Sequence, residues 1–411
     1  MGVAAGRLLS CALLVTALPQ AQEPVFRGSV DVIPLTVHVV DQDGRPLAGL
    51  SVDKFEVTLG GHRRRVVSAE LIRYGSPRAA TVGPVDRPIA PAPAATASPE
   101  LPSSSGRLFM LAIDNLSFAV GASRGVANAA QRFVTRLQAS DRVGLFTYPL
   151  GPKIDPTTDH AAISKALDQV VGERPARGVD RFNLQPSEIV DLSARYSGSR
   201  DPQTQLIVES HCGRPAESQC ASDLTDDARG QAIVYEGQAA GSMGMLRSLI
   251  RFLGKVPGEK IVVLVSAGMV VSDRPGGRPD LSQIGTDMGR EAAAAGVAVY
   301  TLFIDASLLE SNSAENRFAN RNPAGTGRDA AILARWLDQF SATAGGSLIT
   351  DAIGSGESAY DRILNETQAY YLLGVEPVEA DRDGRARELR VKVNARDATI
   401  RGRAWAVVPK K

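Results

Sequence analysis

The spacing of apolar residues changes along this chain of 411 residues. Near the start, Val30, Val32, Leu35, Val37 and Val39 are mostly two apart, with a shift near Pro34. That is the period of a strand with one buried face. Asp41-Gln-Asp-Gly44 reads as a turn before Arg45-Pro46. Phe55, Val57 and Leu59 then alternate again, and Gly60-Gly61 turns the chain into a further strand from Arg65 to Ile72. Residues 25–74 are therefore expected to form short strands, too few to enclose a core alone.

Residues 75–106 hold seven prolines and seven alanines and no aromatic residue. A segment so poor in large apolar side chains reads as a linker. From Leu108 to Ile113 the chain is uninterruptedly apolar, as in a strand covered on both faces, and the run stops at Asp114. Val126, Ala130, Phe133 and Leu137 then share one helical face. Asp141 opens a turn into a second strand ending near Tyr148, and Asp159 is placed to cap a helix carrying Ile163, Leu167 and Val170.

Residues 174–226 are polar and rich in Pro, Ser, Asp and Arg; they read as an insertion with little regular structure. A helix is expected from about Asp227 to Leu253, weakened by Gly237, Gly241 and Gly244. Strands at 261–265, 297–303 and 348–350 alternate with helices at 281–295, around Trp336 and Phe340, and around Tyr360 and Ile363. Alternation of this kind implies an open, mostly parallel α/β sheet over residues 107–369. Residues 370–408 return to β structure and are expected to pair with 25–74 as one small β domain.

Composition narrows the function classes. With 46 basic against 45 acidic residues there is no net field to attract nucleic acid, and none is expected as a partner. Arg7 followed by the apolar run Leu8–Leu18 reads as an export signal, assigned to residues 1–21; the run is too short to span a bilayer. No later segment is long and apolar enough to do so, and the mature chain is expected to be periplasmic, secreted or on the cell surface. After signal removal only Cys212 and Cys220 remain, and a disulfide between them is expected in an oxidising compartment. A metal pair is the alternative, with His211 as a neighbour.

Ligands of open α/β sheets sit at the carboxyl ends of strands. That singles out Asp114-Asn-Leu-Ser-Phe118 and Ser266-Ala-Gly268. Four histidines, at 38, 62, 160 and 211, match no triad or metal spacing. No Gly-x-Ser-x-Gly elbow precedes a helix, since Leu264 stands two residues before Ser266. Trp336 and Phe340 read as core, and Asp141 as a structural carboxylate.

An apolar strand ending in Asp114, a helix, then Asp-Arg-Val-Gly-Leu-Phe-Thr-Tyr148 resembles a von Willebrand factor A-type domain. Lys260-Ile-Val-Val-Leu-Val-Ser-Ala-Gly268 and Gly296-Val-Ala-Val-Tyr-Thr-Leu resemble its later strands. The flanks, from Phe26-Arg-Gly-Ser-Val to Asp53-Lys-Phe-Glu-Val and then Tyr370-Tyr-Leu-Leu-Gly374, resemble exported bacterial "VWFA-related" proteins. The resemblance implies a Rossmann-like sheet and a protein partner. It also implies a Mg²⁺ site built from an Asp-x-Ser-x-Ser loop, a Thr from a second loop and a turn aspartate. Here Asp114 is kept, Leu116 and Phe118 stand at the serine positions, Ser117 is one residue out of register, and Ala267 replaces the turn aspartate. Asp114 and Ser117 are the candidate ligands of a degenerate site. Asp114 is read either as a remnant ligand or as a carboxylate capping the amides after it; Asp273 and Asp305 are further carboxylates near strand ends. No cofactor is expected beyond this Mg²⁺ question. The expectation is an exported protein-binding module without catalysis; a hydrolase with a strand-end active site and a structural envelope component are the alternatives.

Overall fold

Strands form where apolar residues alternate or run unbroken, and helices where they recur every third or fourth position. In the computed structural model the described residues are 32–74, 106–119, 123–174, 181–194, 201–305, 325–351 and 357–410. The strands are β1 (Ile33–Val40), β2 (Phe55–Leu59), β3 (His62–Arg73), β4 (Leu108–Asp114), β5 (Arg142–Tyr148), β6 (Lys153–Thr157), β7 (Lys260–Ser266), β8 (Val297–Ile304), β9 (Leu348–Asp351), β10 (Ala369–Glu376), β11 (Ala386–Val393), β12 (Thr399–Gly402) and β13 (Trp405–Val407). The helices are α1 (Ser123–Thr135), α2 (His160–Leu167), α3 (Pro186–Ser193), α4 (Pro202–Cys212), α5 (Ser218–Gly254), α6 (Ser282–Ala294), α7 (Gly325–Ala344) and α8 (Glu357–Glu366). The expected signal segment and most of the 75–106 linker lie outside the described residues.

The fold is mixed α/β. One sheet has six strands in the order β6-β5-β4-β7-β8-β9, with every pair parallel except β5 with the edge strand β6. Every residue of β4 and β7 is buried, which is why these segments read as unbroken apolar runs. Phe109, Leu111 and Ile113 of β4 meet α1, α2 and α8 on one face, where Phe133 packs edge-on against Phe109 and tilted against Tyr360. Leu108, Met110 and Ala112 meet α5, α6 and α7 on the other, around Trp336 and Phe340. Asp159 caps α2, accepting from Ala162 N–H at 3.0 Å.

The second sheet is antiparallel and has seven strands in the order β12-β1-β10-β3-β2-β11-β13. It interleaves the two ends of the described chain: β10 pairs with β1 on one side and β3 on the other. Leu35, Val37, Val57, Leu59, Tyr371 and Leu373 belong to one apolar cluster, so neither segment has to enclose a core alone.

The irregular reading of 174–226 is corrected by the structure. It contains α3, α4 and the start of α5, a continuous helix of 37 residues. Local signals explain these helices. Pro186 and Pro202 begin α3 and α4, where no intrahelical N–H is needed. Gln185 N–H donates to Glu188 at 2.9 Å, and Asp201 accepts from Gln203 N–H at 3.2 Å. Leu184, Ile189, Leu192, Ile207, Leu224 and Ala228 give the insertion its own small core. The Cys212–Cys220 disulfide ties the end of α4 to the start of α5. No helix among the described residues is long and apolar enough to cross a membrane.

Candidate functional site

Strand order changes direction at β4: the chain passes from β4 to β5 on one side and later adds β7 on the other. The carboxyl ends of β4 and β7 are therefore adjacent at the switch point, where α/β sheets take ligands. Asp114 ends β4 and Ser266 ends β7, and the structure brings them together. Ser266 Oγ donates to Asp114 Oδ2 at 3.1 Å and accepts from Gly268 N–H at 3.0 Å.

Ser117, one residue out of register, turns toward the neighbouring loop. Its Oγ donates to the Asp114 carbonyl at 2.7 Å and accepts from Ala267 N–H at 2.9 Å. The one residue that was out of register is thus the stitch between the two strand-end loops. Asn115 adds a second stitch by donating to the Leu150 carbonyl at 3.1 Å. Glu173 and Arg174 close the side by donating their N–H groups to the Asn115 and Phe118 carbonyls at 2.8 and 2.9 Å.

The result is a dry carboxyl. Asp114 is 3% exposed, and burial pushes its pKa up to about 7 against the opposing pull of Ser266 and the N–H groups of Leu116 and Ser117. Its Oδ1 has no hydrogen-bond partner among the described residues, nor has Asn115 Oδ1. The donor set does not match the Mg²⁺ pattern. Leu116 and Phe118 offer hydrocarbon where hydroxyls are needed, the Ser117 hydroxyl is used both as donor and acceptor, and Ala267 supplies no carboxylate. No cluster of three or more His, Cys, Asp or Glu suited to a metal occurs among the described residues.

The other predicted carboxylates are placed elsewhere. Asp273 binds Arg328 through both oxygens, at 2.9 and 3.0 Å, which holds its pKa below the usual range against the effect of burial. Asp305 follows directly on β8. Sequence reading missed the network around Asp273. Asp191 of α3, 1% exposed, takes both Arg328 (2.7 and 2.8 Å) and Arg274 (2.7 Å). With Val190 packed on Val270 and Ile332, this fastens the insertion over the loop that follows β7. The only local signal was an isolated Asp inside an apolar stretch.

The histidines are dispersed among the bonds they make. His160 Nε2 meets the Asp141 carbonyl, His211 pairs with Glu188, and His38 pairs with Glu259 at 3.1 Å. Asp141 is structural, as expected. Fully buried, it accepts from Arg107 N–H, from the Arg107 guanidinium (2.7 Å) and from Gln138 N–H.

No protein-family model matches the chain, and no curated protein matches it. Among solved structures it is similar to an aerotolerance-related membrane protein from Bacteroides fragilis, at 13% identity and a TM-score of 0.30, over 64% of this chain and 98% of that one. It is similar also to the pilus adhesin SpaC from Lactobacillus rhamnosus GG, at 9% identity and a TM-score of 0.30, over 72% of this chain and 43% of that one. Likeness at this level carries no functional argument, and the reading rests on the site.

Proposed function

We propose that the protein is an exported, non-catalytic binding module whose α/β domain is of von Willebrand factor A type and whose metal site has become a structural joint. The observation that carries this is the closure of the switch point: the hydroxyls of Ser117 and Ser266 are spent on holding the two loops together. The strand order, with an antiparallel edge strand beside a parallel sheet, agrees with that domain type. The disulfide agrees with an oxidising compartment. A hydrolase centred on Ser266 is less well supported, because its Oγ is buried against a carboxyl and bonds no histidine. Partner contact is then expected through the outer surface of the insertion and not through a bridging ion.

Two measurements test this. Calorimetry with Mg²⁺, Mn²⁺ and Ca²⁺ is expected to show no binding; heat that disappears in Asp114→Ala overturns the structural-joint reading. Capture from the producing cell's envelope is expected to retain the same protein partner with and without chelator. Retention of nothing in either condition removes the binding reading.

A further inference from the structure

The opposite end of the parallel sheet is built differently. The amino ends of β4, β5, β7 and β8 face one surface of the antiparallel sheet across a cleft of about 520 Å³. That volume is in the range of small-molecule sites, roughly 300–1,000 Å³. Its wall is amphipathic. Tyr74 and Tyr370 lie with ring centres 5.5 Å apart, beside Leu108 and Leu372.

Its charge is unbalanced. Among the described residues, His38, Arg73, Arg142 and Arg403 line the cleft against a single acid, Glu259. That acid is already committed: His38 presents Nε2 to Glu259 at 3.1 Å and Nδ1 to the Ala369 carbonyl at 3.0 Å. Two ring nitrogens facing two acceptors suit the imidazolium, so His38 and Glu259 neutralise each other. The nearby acid Glu366 is held by Arg362 and Arg401.

Arg403 and Lys260 share what remains of the Glu259 charge and form no ion pair within 4 Å among the described residues. Both approach the same point: a Cβ on Gly296 would lie 3.4 Å from Lys260 Nζ and 3.8 Å from Arg403 Nη1. Among the described residues Lys260 Nζ donates only to the Val256 carbonyl at 3.0 Å, and Arg403 only to the Ala293 carbonyl at 3.4 Å. An ammonium has three donors and a guanidinium five, so most are unspent. Burial lowers the pKa of both, and in Lys260 the neighbouring Arg403 lowers it further; Glu259 pulls the other way in each without reversing the shift. Two cations with spare donors, pressed together and partly removed from water, are stabilised by an incoming anion.

We propose that this cleft binds a small organic anion, a carboxylate or phosphate on an aromatic or aliphatic body. Arg403, on the cleft wall, holds the anionic group, Lys260 behind Gly296 adds its charge from beneath, and Tyr74, Tyr370, Leu108 and Leu372 receive the body. The site is independent of the switch point, so it stands or falls apart from the function proposed above.

The test is isothermal titration calorimetry of the mature chain with phenyl phosphate, benzoate, inorganic phosphate and benzyl alcohol. At least one organic anion is expected to bind with a Kd below about 1 mM, and inorganic phosphate and benzyl alcohol roughly tenfold more weakly or worse. Arg403→Gln is expected to weaken the organic anion by about tenfold or more, since it removes a charge-assisted hydrogen bond, and Lys260→Gln by less, since it removes a nearby charge only. Arg136→Gln, on the surface away from the cleft, is the control and is expected to bind as the wild type does. Arg142→Gln, at the cleft wall, replaces Lys260→Gln if the latter does not fold. Absence of binding by both organic anions, undiminished binding in the cleft variants, or inorganic phosphate binding as tightly as phenyl phosphate overturns the proposal.

Discussion

The two ends of the parallel sheet have exchanged the roles that an open α/β fold ordinarily gives them. At the carboxyl end, the hydroxyls of Ser117 and Ser266 are spent on the joint, and the one Asp114 oxygen left without a partner is buried. At the amino end, Arg403 keeps donors to spare on the wall of a cavity, with Lys260 behind it at Gly296. Both ends bury charge-bearing groups, yet only one leaves them directed at open space. Burial alone therefore does not mark a binding site here. What marks it is unspent charged donors beside a cavity, where the unspent oxygen at the other end is enclosed.

The foundation of the amino end can be removed directly. Arg107 and Asp141 lie at the starts of β4 and β5 and are each under 5% exposed. The Arg107 guanidinium also donates to the Leu364 carbonyl and to Thr367 Oγ1. Asp141→Ala strands this cation and is expected to lose about 3–5 kcal/mol of stability, read from urea unfolding midpoints. A loss under about 1 kcal/mol would mean that the pair is hydrated and does not anchor the amino end.

The carboxyl end has the opposite sign. Burial raises the Asp114 pKa from 3.8 to about 7, so the native state binds a proton that the unfolded state releases between those values. Stability from this group accordingly falls as pH rises from about 4 to about 7, by at most roughly 4 kcal/mol at 1.36 kcal/mol per pH unit. Asp114→Asn keeps an acceptor for Ser266 and removes the ionisation. It is expected to be more stable than the wild type at pH 8, with the gain vanishing near pH 4, measured by thermal unfolding across that range. If the variant is instead less stable at pH 8, the carboxylate is stabilised by something the closed joint does not contain, a cation foremost.

Much of this architecture was legible in the sequence because burial on both faces leaves an unmistakable trace. β4 is apolar from Leu108 to Ile113 and β7 from Ile261 to Val265, and the switch point follows from where these runs end. The insertion was illegible for a related reason. Ile189, Leu192 and Leu224 build a core from a few apolar residues scattered among polar ones, and periodicity needs a longer window to appear. The cleft was less visible still. Tyr74, Glu259, Tyr370 and Arg403 come from segments more than 30 residues apart, and only the pairing of β3 with β10 assembles its tyrosines. His38 in particular reads as one more strand residue until its two acceptors are in place.

That histidine offers a finer probe of the amino end. Burial alone would lower its pKa, but Glu259, the Ala369 carbonyl and the more distant Glu366 together raise it above 6.5; Tyr74, Tyr370 and Arg403 complete its surroundings. Burial likewise works to raise the pKa of Glu259, yet His38 and Arg403 hold it below 4.5. The stabilisation from His38 is complete below pH 6.5 and is lost as pH rises through its raised value. That from Glu259 is complete above pH 4.5 and is lost as pH falls through its depressed value. The pair thus stabilises fully between those limits. Near pH 5.5, Glu259→Gln is expected to lose about 1.5–3 kcal/mol, the range for a hydrogen bond to a charged group, and less above pH 8. A loss that does not change with pH would show that His38 is neutral in the fold.

The smallest effect separates the insertion from the sheet. The first half of α5 packs into the insertion core and the second half against the parallel sheet, so the helix is the shaft between them. Gly237, Gly241 and Gly244 lie near the changeover, all exposed, and a Cβ at any of them meets nothing within 4 Å. Close packing does not require these glycines, and nothing in the structure explains them. Gly241→Ala is expected to raise stability by about 0.5–1 kcal/mol through helix propensity and a less disordered unfolded chain. Hydrogen exchange gives the sharper reading. If α5 couples the two cores, the substitution slows exchange in α3 and α4 as well as around residue 241. Slowing confined to the helix itself would make the insertion an independent unit, free to move on its own when it meets a partner.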